Sequence, residues 1–295
     1  MKYDYKIFID ASADILPDFA VHYDIGIIPM VYTIDEEEHL CDHVETQEER
    51  KRFYQAQREG RLTKTSQTSP QMCMDAFREY ASQGISVLCI SLSSGLSGSF
   101  SSAGMAAEEL MEEYPNVSIV CVDSLAASAG IGLLAERAAL NREKGMSLSE
   151  NAADLNEMRM RLQHWFMVDD LMYLRRGGRL SAASAVIGTA LSIKPILKIE
   201  SDGKLVNFAK KRTAKMAMSA LVSFYNESAD RSGDEHVFIV HSDNPEGAEF
   251  LKSEVASVSP DSRIDIVQLS PIIAAHTGPG LCAVIHFSRE EAKRG

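Results

Sequence analysis

The chain has 295 residues and only five cysteines, at positions 41, 73, 89, 121 and 282, with no Cys-x-x-Cys pair among them. An odd, scattered set argues against a disulfide framework and against a structural zinc site. Cys89 and Cys121 stand in apolar runs and read as small core hydrophobes. Long hydrophobic runs are absent: no window approaches the roughly eighteen apolar residues of a spanning helix. The opening MKYDYKIFIDASAD holds no apolar stretch of signal-peptide length. These absences lead to the expectation of a soluble, reduced, cytoplasmic protein without integral membrane insertion. Positive charge is also short, with 30 Lys and Arg against 42 Asp and Glu and a formal net charge of −12. That disfavours a general nucleic-acid binder. No GxxxxGK[ST] loop, no GxGxxG after the first strand, no HExxH and no GxSxG elbow occurs. Neither a metal, a cofactor nor a catalytic residue is expected from such a pattern.

What is present is ordinary globular material, 45% hydrophobic and 24% charged, long enough for one large α/β unit or two domains. Short apolar runs at 6–9, 25–33, 86–91 and 117–122 predict strands, the second of them bent or at an edge because of Pro29. Helical patterns at 46–59, 70–82, 100–113 and up to about 144 alternate with them. Strand, small-residue turn and helix in repetition predict a parallel α/β sheet. The second half predicts helices at 149–162 and 213–227, an apolar, Ala-rich helix that follows Arg175–Arg179 within 171–193, and a further helix opened by Asn244-Pro245. Its strands are expected at 165–168, 195–200, 204–209, 236–241, 264–269 and 281–287. A boundary near 145–150 divides the chain into an N-terminal α/β domain, 1–147, and a second α/β domain, 148–295.

The strongest local feature is Ser91-Leu92-Ser93-Ser94-Gly95-Leu96-Ser97-Gly98-Ser99, between a predicted strand and a predicted helix. At the carboxyl end of a parallel strand, hydroxyls, glycines and a helix N-terminus suit a small carboxylate or phosphate. The plainer alternative is that the serines only cap the helix. Asp123-Ser124-Leu125-Ala126-Ala127-Ser128-Ala129-Gly130 reads better as a cap with small residues for close packing. Thr63-Lys64-Thr65-Ser66-Gln67-Thr68-Ser69-Pro70 reads as a hydroxyl-rich loop that caps a helix or adds donors to the same crevice. Arg175-Arg176-Gly177-Gly178-Arg179 is a basic cluster fit for carboxylate or phosphate, or a solvated turn. Lys210-Lys211-Arg212 with Lys215 reads as a solvated face or a dock for an acidic partner. His276 lies in the glycine-proline segment His276-Thr277-Gly278-Pro279-Gly280, a structural or an anion-donating histidine.

Seven segments in register resemble the DegV family of bacterial fatty-acid-binding proteins, over nearly the whole chain. Ile9-Asp10-Ala11-Ser12-Ala13-Asp14 resembles the family's opening strand end, with Ala11 for the usual Ser. Thr65-Ser66-Gln67 resembles TSQP, with Thr68 for Pro, and Ser93 to Ser99 resembles SSxLSGT. Val122-Asp123-Ser124 with Ser128-Ala129-Gly130, Tyr173-Leu174-Arg175-Arg176-Gly177-Gly178-Arg179, Lys194-Pro195-Ile196-Leu197 and His276-Thr277-Gly278-Pro279-Gly280 complete the set. The resemblance implies a two-domain α/β protein that buries one long-chain fatty acid. It implies that the carboxylate is held by Thr65, by Ser94 or Ser97 and by His276, with Ser66, Gly98, Thr277 and Gly278 beside them. Ser97 is favoured because it sits at the expected helix N-terminus. The Ala-, Ile- and Leu-rich stretch 182–193 is expected to line the tunnel or to be an ordinary core helix.

The resemblance further implies a non-catalytic subunit of a fatty acid kinase system. It would present its lipid to a kinase catalytic subunit, which forms an acyl-phosphate for phospholipid synthesis. Arg176, Arg179 and Arg212 are then candidates for kinase docking or for shielding the phosphate. Two alternatives stand beside this: an acyl hydrolase using Ser97 and His276, and a lipid sensor or reservoir without a kinase partner.

Overall fold

The computed structural model describes residues 3–42, 46–180, 193–231, 235–292 and 294. Along the first half run β1 (Tyr5–Asp10), α1 (Pro17–His22), β2 (Ile25–Ile28), β3 (Met30–Ile34), β4 (Glu37–Cys41), α2 (Gln47–Arg58) and β5 (Thr63–Thr65). They are followed by α3 (Pro70–Ala81), β6 (Ser86–Ser91), α4 (Ser99–Glu113), β7 (Ile119–Asp123), α5 (Ala129–Glu143) and α6 (Leu148–Met158). The second half supplies β8 (Leu162–Met167), α7 (Met172–Arg176), β9 (Lys194–Ile199), β10 (Leu205–Lys211) and α8 (Ala214–Ser228). It ends with β11 (His236–His241), α9 (Pro245–Val258), β12 (Arg263–Gln268), α10 (Pro271–Thr277) and β13 (Cys282–Phe287).

The apolar runs of the first half pair in parallel in the order β2-β1-β6-β7. Every residue of β1 is buried, as expected of a strand covered on both faces. The second half forms a six-stranded sheet in the order β10-β9-β8-β13-β11-β12. Only β11 and β12 in it run parallel; its other neighbours are antiparallel. The expected strand over 25–33 is in fact two strands in two sheets. Pro29 separates β2, in the parallel sheet, from β3, in an antiparallel three-stranded sheet of order β4-β3-β5. Proline has no N–H for a ladder, so the chain changes sheets there. That small sheet and the helices α1 and α10 were not expected.

Capping follows the sequence. Thr46 with Glu49, and Ser147 with Glu150, form reciprocal capping boxes. Ser69 caps α3 by accepting from the Met72 N–H at 3.2 Å. α6, which follows the expected boundary, packs on α5 and against β6 and β7. The Ala-rich helix expected after Arg179 falls almost wholly on residues 181–192, which lie outside the described residues; α7, before it, was not expected.

α5 sits between the two larger sheets, touching β1 and β6 on one side and β8, β11 and β13 on the other. Buried residues therefore surround it, many of them Ala and Gly. A Cβ on Gly130 would stand 2.1 Å from Nε2 of His164, so glycine alone lets the helix approach β8. A single apolar cluster joins the sheets across this helix, from Ile9 and Ile90 to Phe238 and Ile285.

Candidate functional site

Within that cluster lies a cavity lined by residues of both halves of the chain. Its wall on the second sheet comes from alternate residues of neighbouring strands, Phe166 on β8, Val240 on β11, and Ala283 and Ile285 on β13. Met30, Leu92, Leu96, Leu269 and Ile272 close the opposite side.

One end of the cavity is polar and is assembled from three separate segments. β5 ends at Thr65, and α10 packs against β5, β3 and α7. This contact sets Thr65 Oγ1 2.7 Å from Nε2 of His276. The loop after Thr65 is tied to the start of α4, where the Thr68 N–H donates to Ser99 Oγ at 3.2 Å. The α7 segment joins when Arg179 Nε donates to the Leu96 carbonyl at 3.1 Å. Thr65, Ser66, Gln67, Ser97, His276, Thr277 and Arg179 thus all line the cavity.

Ser97 lies just before Gly98, the N-cap of the fifteen-residue α4, at the positive end of the helix. Its hydroxyl is 3.0 Å from that of Ser99. Ser94 is exposed and lies outside the cavity wall; its N–H donates to Asp123. Gly98 packs against Gln67, where a Cβ would meet the amide at 2.2 Å. Gly278 caps α10 against the Tyr173 ring. Arg212 is exposed beyond the end of β10 and lines no part of the cavity.

Burial, with the Arg179 charge adding to it, pushes the pKa of His276 down to about 4. The ring is therefore neutral near pH 7, and its Nδ1 is buried without a hydrogen-bond partner. Gly177 makes room for it: a Cβ there would stand 2.3 Å from Nδ1. Arg179 is itself held below its ordinary pKa by burial.

Beyond Thr65, Arg179 and His276, which it shares with the cavity, opens a vestibule. Arg61, Lys64 and Arg176 line it with Tyr173. Arg61 is paired with Asp35 at 2.8 Å, and the Arg176 guanidinium lies over the Tyr173 ring. Chemically, the arrangement is an apolar chamber with hydroxyls, a neutral histidine and Arg179 at one end, leading out through a cationic mouth. It suits an amphiphile with an anionic head.

The two acids of the opening motif are buried clamps. Asp10 accepts from the Leu92 N–H at 2.7 Å and from Ser12, fixing the loop that carries Ser97. Asp14 accepts from Ser128 Oγ at 2.6 Å and from the Ser270 N–H at 2.8 Å, joining the starts of α5 and α10. Ser128 therefore does not cap α5 with its side chain, as the sequence suggested; it lines the cavity and bonds Asp14. Ser93 Oγ donates to the Gly203 carbonyl at 2.8 Å, linking the first sheet's turn to the β9–β10 turn.

Sequence reasoning missed Arg61 in the vestibule, and Ser128 and His164 in the cavity wall. Arg61 and His164 stood in no pattern that pointed to a ligand, and Ser128 stood in a turn that read better as a cap. Among the described residues, no group of three or more His, Cys, Asp or Glu is placed to hold a metal ion, and no helix is long and apolar enough to cross a membrane.

The family model described as "Uncharacterised protein, DegV family" matches residues 4–289. A DegV domain-containing protein of Clostridium perfringens is 38% identical over 280 residues, covering 95% of this chain and 96% of that protein. The solved structure of a fatty-acid-binding DegV family protein from Thermus thermophilus superposes with a TM-score of 0.87 at 27% identity. It covers 97% of this chain and 100% of the other. The fatty-acid-binding DegV of Bacillus subtilis gives a TM-score of 0.84 at 28% identity, covering 98% and 100%.

Proposed function

We propose that this chain, which belongs to the DegV family, binds one long-chain fatty acid in the cavity and presents it to a fatty acid kinase. The observation that carries the reading is the chamber's polarity: apolar walls, one end of hydroxyls with His276 and Arg179, and a cationic mouth beyond that end. Thr65, Ser97 and His276 receive the carboxylate, with Ser66 and Thr277 beside them. Hydroxyls and a helix N-terminus hold the anion, with the half-buried Arg179 beside them as a cation. The tail supplies the affinity, at about 0.8 kcal/mol per buried methylene. Fatty-acid-binding relatives of this fold support the ligand class.

The vestibule supports the finer part of the reading. A carboxylate at Thr65 and His276 faces Arg176 and Arg179, which would offset the charge of an acyl-phosphate formed there by the kinase subunit. Arg212, on the outer surface, is assigned to kinase docking. The hydrolase alternative is disfavoured by geometry, because the hydroxyl bonded to His276 belongs to Thr65, while Ser97 bonds Ser99.

Native mass spectrometry of the purified protein, followed by solvent extraction, tests the binding. The expected result is an adduct of fatty-acid mass released as free acid. A clean apo mass with no uptake on incubation overturns the reading. For presentation, acyl-phosphate formation is measured with a fatty acid kinase catalytic subunit and ATP. Arg212→Ala should slow turnover with the lipid still bound; loss of the lipid in this variant would contradict the docking role.

A further inference from the structure

The hairpin of β9 and β10 is tied to the rest of the protein differently at its two ends. Its strands pair with each other from Lys194 and Lys211 to Ile199 and Leu205, so it forms one stiff unit. At its base α8 packs on both strands, and Ile196 and Leu197 pair with Met167 and Phe166 of β8. Among the described residues β9 makes no other pairing with β8. Beyond Leu197, towards the turn, the hairpin leaves the sheet. Ile199 and Leu205, which flank that turn, form part of the cavity wall. The tip is therefore a piece of the chamber that the sheet ladder does not hold.

Side chains hold it instead, through main-chain carbonyls. Ser93 Oγ donates to the Gly203 carbonyl at 2.8 Å. Arg294 Nη1 donates to the Glu200 carbonyl at 3.2 Å and to the Leu125 carbonyl at 2.9 Å, and Nη2 donates to the Arg159 carbonyl. Arg294 thus joins the hairpin to the loop after β7. It is only 7% exposed, yet no carboxylate among the described residues pairs with it; that of Glu200 lies 2.9 Å from Nζ of Lys198. A cation buried without a counter-ion is a costly way to stabilise a fold. Carbonyl acceptors also release a guanidinium more readily than a carboxylate does. The seat is nonetheless close: a Cβ on Gly203 would stand 2.1 Å from Ser93 Oγ, and one on Gly95 2.8 Å from the Asp202 and Gly203 carbonyls.

We infer that this hairpin is a hinged flap over the side of the chamber, latched at its tip by Ser93 and Arg294, and that the acyl tail enters and leaves beneath it. The inference rests on the fatty-acid reading and adds the route of exchange. The hinge lies at Ile196 and Leu197, the residues paired with β8. Swinging the tip out breaks the bonds at Gly203 and Glu200 and takes Ile199 and Leu205 out of the wall, while the β9–β10 ladder stays whole. Elements held in this way open locally far more often than the fold unfolds. The flap side offers the tail an apolar edge, whereas the vestibule is lined by Arg61, Lys64 and Arg176. The carboxylate can face the vestibule while the tail uses the flank.

The test times uptake and release of parinaric acid, an intrinsically fluorescent fatty acid, by stopped flow on the full chain. Ser94→Cys with Asp202→Cys places thiols at exposed positions on the two sides of the seat. A short bis-maleimide with a cleavable disulfide joins them, and each single-cysteine variant treated alike is the control. Closing the link on loaded protein should slow release by about tenfold or more, and reducing it should restore the rate. Release unchanged by the link overturns the inference and leaves fatty-acid binding standing. Without a link, Arg294→Gln and Ser93→Ala should each speed uptake and release alike by about tenfold, with Kd within about threefold. A weaker Kd without faster uptake would mark the two residues as structural and overturn the latch. If the wild type takes up neither parinaric nor octadecanoic acid, the fatty-acid reading itself fails. The cross-link decides the matter alone, should the latch variants fold poorly.

Discussion

Thr65 shows what a single hydroxyl does in this chamber. Its Oγ1 lies within hydrogen-bond distance of Nε2 of the His276 ring, at 2.7 Å. Thr65→Val keeps the shape, strands Nε2 of His276 and removes one donor from the carboxylate. Fatty-acid affinity should fall by about tenfold to a hundredfold, as for hydrogen bonds to charged groups. Ser94→Ala, at an exposed position outside the wall, should stay within about twofold. Displacement of a fluorescent fatty acid measures both; equal losses would contradict the assignment. At this scale Thr65, Ser97 and His276 were legible because they stood in motifs with a chemical reason for their residue types. The choice between Ser94 and Ser97 was not, since it depends on where α4 begins. His164 was hidden for another reason: Gln163 and His164 look like a polar connector, yet both are buried within β8.

Elements explain why these side chains meet. α10 is seven residues long and brings His276 to Thr65 only because α7 yields space at Gly177. Gly177→Ala places a Cβ 2.3 Å from Nδ1 of His276. The backbone there tolerates alanine, so the penalty is overpacking, about 1–3 kcal/mol. A lowered Tm and weaker fatty-acid binding should appear together. A wild-type affinity would show that the ring has not been displaced. The main strands were legible at this scale, because β1, β6, β11 and β13 are continuous apolar runs. β4 and β5 were not: Glu37–Cys41 is mostly exposed, and Thr63–Thr65 has three residues. Neither has the alternation or the length that marks a strand.

The whole molecule stores a pH dependence in its buried histidines. Burial lowers His164 to about 3, and His276 and His286 to about 4, from an ordinary value of 6.5. The unfolded chain takes up these protons as pH falls below 6.5, while the folded chain resists until pH 3–4. Stability is therefore fully present above about 6.5 and is lost progressively on acidification through that window. The ligand-free protein should show a Tm that falls between pH 6.5 and 5, before most carboxylates titrate. His286→Gln should flatten that slope, whatever it does to the Tm at pH 7. An unchanged slope would assign the acid sensitivity to other groups.

The order of strands has a consequence for synthesis. β13 is the last strand of the chain, yet it lies in the middle of its sheet, between β8 and β11. β8 thus emerges from the ribosome without its neighbour and waits for residue 287, a delay of several seconds at about 5–20 residues per second. During that interval the part of α5 that meets β13 is left uncovered. The nascent chain therefore exposes part of this helix, a surface for chaperones, and the chamber takes its final shape only once Phe287 has been added.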